Sequence, residues 1–158
     1  WVLLLAGLQT TVWPELFGGV PAPQLWLNVI LYFIIFRAMI PALFISYALV
    51  LLLHPFTSLS LGVFWTSLLV LVPVGSSVKS RTFWQGLRYF IIGSLALTVG
   101  WHLTSFTVSQ IFEKNPANLH LFTRLTEVLL TPLAAVPQYL VMQWMDRAGV
   151  IETTFRFG

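Results

Sequence analysis

The chain contains no cysteine, and only 8% of its 158 residues are charged. The lack of cysteine excludes disulfides, thiol nucleophiles and cysteine-ligated metal sites. Soluble domains carry about 25% charged residues, so this sequence lacks the side chains that would hydrate a water-exposed surface. Hydrophobic residues make up 58% of the chain, and its mean hydropathy is +0.87. The composition predicts an all-α, polytopic membrane protein with no separate soluble domain.

Groups that could perform catalysis are also scarce. Of five acidic residues, only Glu127 falls within a predicted span, which excludes the paired aspartates of an intramembrane aspartyl protease. The histidines, His54, His102 and His120, follow no metal-binding spacing. A G-x-S triplet at Gly75–Ser77 falls in a predicted basic boundary loop, residues 75–81, away from His102 and therefore from a general base. We predict no catalytic centre, no metal and no cofactor.

Apolar runs separated by polar turns divide the chain into a single domain of about six spans. A helix rises about 1.5 Å per residue, so about 20 residues cross a hydrocarbon core of ~30 Å. The second and third spans are shorter than this, and we expect them to tilt or to thin the bilayer. The sixth is expected to bend or break near Pro132 and Pro137. The predicted spans cover residues 1–12, 24–36, 40–54, 61–74, 83–111 and 119–145.

Basic residues predict the orientation of these spans. The net charge is +3, with eight Lys and Arg residues too dispersed to form a nucleic-acid patch. If the N-terminus is cytoplasmic, the outer side receives only Lys114 and Arg124. The positive-inside rule then places both termini in the cytoplasm. The inner side receives Arg37, Lys79, Arg81, Arg88, Arg147 and Arg156.

Small residues form a stripe along the fifth predicted span. Gly86, Gly93 and Gly100 are seven residues apart, and Ala96 and Thr104 continue the same face. Helices in lipid associate by close van der Waals approach across such faces. The stripe therefore predicts a central helix against which another helix lies. That helix can belong to this chain or to a second protein, and the sequence leaves both open.

Among the polar residues inside the predicted spans, four are candidates for a functional contact, because polar groups within a membrane usually face a partner or a cavity. Arg124 and Glu127 lie three residues apart and predict a local ion pair. The alternative is that they contact another protein's helix or line a polar cavity. We expect His102 to be an interior histidine bonded to a Ser, a Thr or a carbonyl, rather than a proton relay. Asn28 is expected to hydrogen-bond across helices.

The third and fourth spans carry a more specific pattern. The segment Ser46–His54, which includes Tyr47 and Val50, is followed by Leu61-Gly62. It resembles the signature of the rod shape-determining protein MreD family, which reads approximately G-F-x-x-G-L-x-x-D, then a short turn and L-G.

Other segments resemble the family more loosely. Leu8–Thr11 is similar to its first span, Val20–Leu25 to the start of its second, and Tyr139–Arg147 to its C-terminal finish. The sequence also departs from the pattern: Ser46 and Val50 replace glycines, and His54 and Gln24 replace acidic residues.

The resemblance implies a non-enzymatic scaffold of the bacterial inner membrane. Members of the family bind MreC, a bitopic protein, within a cell-elongation machinery that includes the MreB filament, the RodA glycosyltransferase and a class B penicillin-binding protein. Their fold is similar to the six-helix substrate-binding subunits of energy-coupling-factor (ECF) transporters. That similarity supplies the alternative function, a membrane subunit that binds a vitamin or another small molecule.

Overall fold

The computed structural model describes residues 2–57, 59–81, 86–114, 116 and 120–148, and the regular structure within them is helical. Four stretches are long and apolar enough to cross a membrane, namely Met39–Phe56 and the three longest helices. The chain is thus a helical membrane protein, as its composition predicts. The helices are α1 (Val2–Gly7), a π-helical turn (Leu8–Val12), α2 (Trp13–Phe17), α3 (Leu25–Phe36), α4 (Met39–Leu53), a 3-10 turn (His54–Phe56), α5 (Leu61–Arg81), α6 (Leu87–Phe112) and α7 (Leu121–Arg147).

The first two predicted spans do not correspond to any of these four membrane-crossing stretches. The helical path of the first predicted span continues beyond Val12 to Phe17, with Pro14 near the start of α2. The second is α3, whose 12 residues extend only ~18 Å. Of the six predicted spans, four therefore correspond to helices long enough to cross a bilayer.

The predicted loop at residues 75–81 is wrong. The structure continues α5 through this segment to Arg81, with Pro73 inside the helix. Ser77 Oγ donates a hydrogen bond to the Pro73 carbonyl at 2.8 Å, and Ser80 Oγ donates one to the Ser77 carbonyl at 2.8 Å. These serines bond to their own helix, so their polarity does not end it. Helix α7 likewise runs uninterrupted past both of its prolines.

The central element of the bundle is the short helix α3. Ten of its 12 residues are buried, and it packs against α1, α4, α5, α6 and α7. A helix that is apolar all round is typically enclosed by others. The most enclosed helix is therefore α3 rather than the glycine-striped α6. Helix α6 packs against α3, α5 and α7, so other helices do lie against it, as the stripe predicts.

The small-residue stripe lies at the edge of α6 that faces α5. Gly93 is buried, Gly100 and Thr104 are half-buried, and Ala96 is exposed. Gly86 precedes the helix as its N-cap, with a φ of 90° that favours glycine. The stripe thus begins at Gly93.

The helices alternate in direction, so their ends gather on two sides of the bundle. One side, here called the basic end, carries the residues at which α3, α5 and α7 finish. There Asp146 Oδ1 accepts from Arg37 Nη2 at 3.2 Å, and Asp146 Oδ2 accepts from the Tyr32 hydroxyl at 3.1 Å. Lys79 Nζ donates to the Arg37 carbonyl at 2.7 Å. These contacts join three helices at the basic end, while the start of α7 and the end of α6 lie at the opposite end.

Candidate functional site: a polar cavity and a small-residue groove

Arg124, Glu127 and His102 form a charged cluster near the opposite end of the bundle. Arg124 Nη1 lies 3.5 Å from Glu127 Oε2, which confirms the predicted local ion pair. The same nitrogen lies 3.3 Å from His102 Nδ1, and His102 Nε2 lies 3.2 Å from Glu127 Oε2. The side chains of His102 and Glu127 are 10% and 11% exposed, whereas that of Arg124 is 31% exposed. The cluster is thus buried except for part of the guanidinium.

The partners of His102 differ from those predicted, because they are charged side chains rather than a Ser, a Thr or a carbonyl. When Nδ1 accepts from Arg124, the ring proton is on Nε2, which faces Glu127. The 3.2 Å separation is within ion-pair range, but Nε2 makes no well-aligned hydrogen bond. Sequence spacing could not reveal this contact, since His102 and Arg124 lie on different helices.

Gln24, at the start of α3, completes the cluster. Its side chain hydrogen-bonds to Glu127, and its Oε1 accepts from Trp26 Nε1 at 2.7 Å. Its backbone N–H donates to Thr131 Oγ1 at 2.9 Å. The acidic residue that the resemblance leads one to expect at this position would set a second carboxylate against Glu127. The glutamine amide avoids that repulsion and donates a hydrogen bond instead.

A cavity of about 560 Å³ borders this cluster. Cavities of about 300–1,000 Å³ are typical of small-molecule sites. Trp26, Phe64 and Trp101 form one part of its wall, with ring centroids 4.8 to 5.1 Å apart. Polar side chains form another part. The described residues that line the cavity are Ala6, Gln9, Thr10, Gln24, Trp26, Leu53, Phe56, Thr57, Leu59, Phe64, Trp101, His120, Thr123, Arg124 and Glu127.

Asn28 organises a separate buried network next to the charged cluster. Its oxygen accepts from Ser94 Oγ at 2.5 Å, and its Nδ2 donates to Gln138 Oε1 at 2.6 Å and to the Thr131 carbonyl at 3.1 Å. Gln138 Nε2 in turn donates to the Leu25 carbonyl at 3.1 Å. The prediction that Asn28 hydrogen-bonds across helices is confirmed. Thr131 and Gln138 were not predicted as partners, although their seven-residue spacing, almost two helical turns, could have placed them on one face of α7.

A second concavity, here called the groove, lies between α3, α5 and α6 in the half of the bundle nearer the basic end. Its volume is about 190 Å³. Small residues of α5 and α6 make close approaches there. A Cβ placed on Gly75 would lie 3.2 Å from Ile34 Cγ2, and one on Gly100 would lie 3.0 Å from Leu71 Cδ2. The groove is lined by Leu31, Ile34, Ile35, Leu71, Val74, Gly75, Val78, Lys79, Gly93, Ala96, Leu97 and Gly100.

Two positions of the MreD-like motif, Ser46 and Val50, are completely buried in α4. Ser46 Oγ donates to the Ala42 carbonyl of its own helix at 2.7 Å. These residues replace glycines of the family pattern, and here both are accommodated inside the bundle.

The other motif positions lie at or near the turn between α4 and α5. Tyr47 packs edge-on against Trp65 with centroids 5.8 Å apart. His54 is exposed in the 3-10 turn, and Leu61-Gly62 begins α5 with no atom within 4 Å of a Cβ built on Gly62. The motif thus contributes helix packing and a turn, and its residues lie outside the charged cluster.

No protein-family model, curated protein or solved structure matches the chain. Within the described residues, no three His, Asp or Glu side chains group as metal ligands. The prediction of a non-catalytic protein without a cofactor stays a prediction. The cavity and the groove are the features from which a function can be argued.

Proposed function

We propose that the chain is a non-catalytic membrane scaffold similar to MreD, and that the groove receives the single transmembrane helix of MreC. The groove itself carries the proposal. It joins the predicted small-residue stripe to a lipid-facing surface, and its lining is apolar except for Lys79.

The chemistry of the groove suits a helix better than a soluble ligand. Burying apolar surface gains little in lipid, so association there depends on close packing and on small residues that let backbones approach. Gly93, Ala96 and Gly100 supply such a surface on α6. Exposed apolar side chains flank the stripe, among them Ile92 at 57% and Leu95 at 42%. A bitopic partner could contact the groove and these flanking residues together.

The charge distribution supports an orientation for this complex. Arg37, Lys79, Arg81, Arg88 and Arg147 belong to the basic end, whereas Lys114 and Arg124 belong to the opposite end. The positive-inside rule then makes the basic end cytoplasmic. The groove would lie in the inner half of a bacterial cytoplasmic membrane, with the MreB filament below it and RodA and a class B penicillin-binding protein beside it.

Two matched substitutions test this proposal. Ala96→Leu places a larger side chain in the groove at an exposed position, and we expect at least tenfold weaker capture of MreC from detergent-solubilised membranes. Ala48→Leu is the control, since Ala48 is also exposed, on α4, and does not line the groove. Equal capture of MreC by the two variants would overturn the groove as the docking site. Failure of the unmodified chain to capture MreC would overturn the scaffold function.

The polar cavity favours a second candidate, a substrate-binding membrane subunit similar to those of ECF-type transporters. Such a subunit needs polar groups that converge on an enclosed pocket, and Arg124 and Glu127 both line the cavity. The double variant Arg124→Met, Glu127→Leu separates the two functions. A scaffold should still capture MreC, whereas a substrate-binding subunit should lose a small molecule that co-purifies with the unmodified chain, as measured by mass spectrometry.

A further inference from the structure

Among the described residues that line the cavity, one carries a carboxylate, and the negative charge of that group is already compensated. Glu127 Oε2 lies within ion-pair distance of Arg124 and His102, and the Gln24 side chain hydrogen-bonds to the same carboxylate. The guanidinium, the imidazole and the amide of these three residues therefore surround an acid whose side chain is only 11% exposed. A cationic ligand would have to displace one of them.

The guanidinium of Arg124 is the charged group left facing the cavity. Its contacts with other described residues are made by Nη1. The Nη2 and Nε atoms lie along another edge of the planar guanidinium. Guanidinium edges bind carboxylate and phosphate with two parallel hydrogen bonds. Arg124 is also the most exposed member of its cluster, at 31% of its side chain.

The start of α7 reinforces a preference for negative charge. Cavity-lining residues His120 and Thr123 lie at the N-cap and in the first turn of this 27-residue helix. That turn contains no acidic residue, and His120 supplies no side-chain cap. The N-terminus of a helix carries partial positive charge and favours anions nearby.

The aromatic residues of the cavity wall indicate the chemistry of the rest of the ligand, to which the anionic group would be attached. Trp101 stands edge-on to Trp26, with an interplanar angle of 88°, and Phe64 packs against both. Aromatic edges and faces suit a flat apolar group, with which they can stack or form T-shaped contacts.

We propose that this cavity binds a small organic anion, in which a carboxylate or phosphate pairs with the free edge of Arg124 and a flat apolar body packs against Trp26, Phe64 and Trp101. The proposal goes beyond the scaffold function and does not depend on it, because the groove lies in the other half of the bundle. It would also define the substrate class if the chain were a transporter subunit.

Four probes that share one ring test the proposal on the full chain purified in detergent. Benzoate and phenyl phosphate carry the anionic group, benzamide is neutral, and benzylamine is cationic. Binding is measured by saturation-transfer NMR, with a thermal shift as the second readout. We expect the two anions to bind with a dissociation constant of roughly millimolar, given the few atoms of such ligands. Equal binding of benzamide or benzylamine would overturn the proposal.

Variants then locate the bound anion. Arg124→Lys keeps the charge but lacks the planar fork, and Arg124→Met lacks both, so benzoate binding should weaken in that order. The loss of a charged hydrogen bond predicts a roughly ten- to hundredfold effect for Arg124→Met. Lys114→Met is the matched control, because it removes an exposed cation from the same end without touching the cavity. Equal losses in Arg124→Met and Lys114→Met would overturn the site.

A steric test keeps the proposal falsifiable if Arg124→Met does not fold. Thr123→Phe fills part of the cavity while leaving Arg124 in place, and it should abolish benzoate binding. Thr126→Phe is its control, since Thr126 lies on the same helix outside the cavity. Benzoate binding that survives Thr123→Phe unchanged would place the anion elsewhere and overturn the proposal.

Discussion

The side-chain oxygen of Asn28 accepts a hydrogen bond from Ser94 Oγ at 2.5 Å, at a place in the bundle where both residues are 0–1% exposed. This contact joins the enclosed helix α3 to α6, and the Asn28 amide extends it to Gln138 on α7. A buried polar group left without its partner costs about 1–3 kcal/mol, which exceeds the net gain from most single hydrogen bonds.

Replacing Asn28 with Leu should therefore lower the free energy of unfolding by about 1–3 kcal/mol, because Ser94 and Gln138 lose their partner. Denaturation in detergent micelles, followed by circular dichroism, measures the change. The double variant Asn28→Leu, Gln138→Leu should recover part of the loss, since replacing both partners leaves fewer unpaired groups. Ser80→Ala is the control, because Ser80 is exposed and its hydroxyl bonds to its own helix. An unchanged stability in Asn28→Leu would contradict the central role of the network.

A comparison of two glycines in α5 tests close packing against α3. A Cβ on Gly75 would lie 3.2 Å from Ile34 Cγ2, whereas one on Gly62 has no neighbour within 4 Å. Alanine favours a helix over glycine by about 1 kcal/mol. We expect Gly62→Ala to leave the stability unchanged or to raise it. The Gly75→Ala variant should be less stable than the Gly62→Ala variant. Gly75→Leu should cost about 1–3 kcal/mol through overpacking. Thermal unfolding in detergent measures all three variants, and identical midpoints would rule out a close α5–α3 contact.

Glu113 provides a test by pH. Hydrogen bonds from Ser109 Oγ, at 2.5 Å, and from Ser60 hold the pKa of this carboxyl below its ordinary value of 4.5. Because the pKa is lowered in the folded state, the stability from these bonds is complete above the ordinary value. It is lost as the pH falls through the folded-state pKa.

Ser109→Ala should raise the pKa of Glu113 toward its ordinary value, since it removes the hydrogen bond with the largest effect on that pKa. Titration of the carboxyl carbon by NMR in detergent measures the shift. Ser77→Ala is the control, because Ser77 bonds to the Pro73 carbonyl and to no carboxylate. A Glu113 pKa that is the same in both variants would show that the Ser109 bond does not lower it.

The proposed orientation can be tested with topology reporters. A reporter active only outside the cytoplasm should be silent when fused after Gly158 and active when inserted at Pro116, between α6 and α7. The physical reason is the bias of basic residues toward the end at which α5 and α7 finish. The opposite activities would reverse the orientation, and activity at both positions would overturn the number of crossings.

The sequence by itself determined the features that depend on composition or on neighbours along one helix. Low charge and long apolar runs predicted the membrane class, and the three-residue spacing of Arg124 and Glu127 predicted the ion pair that the structure shows. Such features need only helical periodicity, which is local. The same local logic failed at residues 75–81, because serines that bond to their own helix look like a loop in the sequence.

Only the tertiary structure decided which helix is enclosed, which groups meet and where the cavity lies. Asn28 and Gln138 are 110 residues apart in the chain, and Arg124 meets His102 across 22 residues. Local periodicity cannot specify such contacts, because they depend on how whole helices are ordered and rotated in the bundle. The short α3 becomes central since it is apolar on every side, and its position brings Gln24 and Trp26 to Glu127 and Trp101.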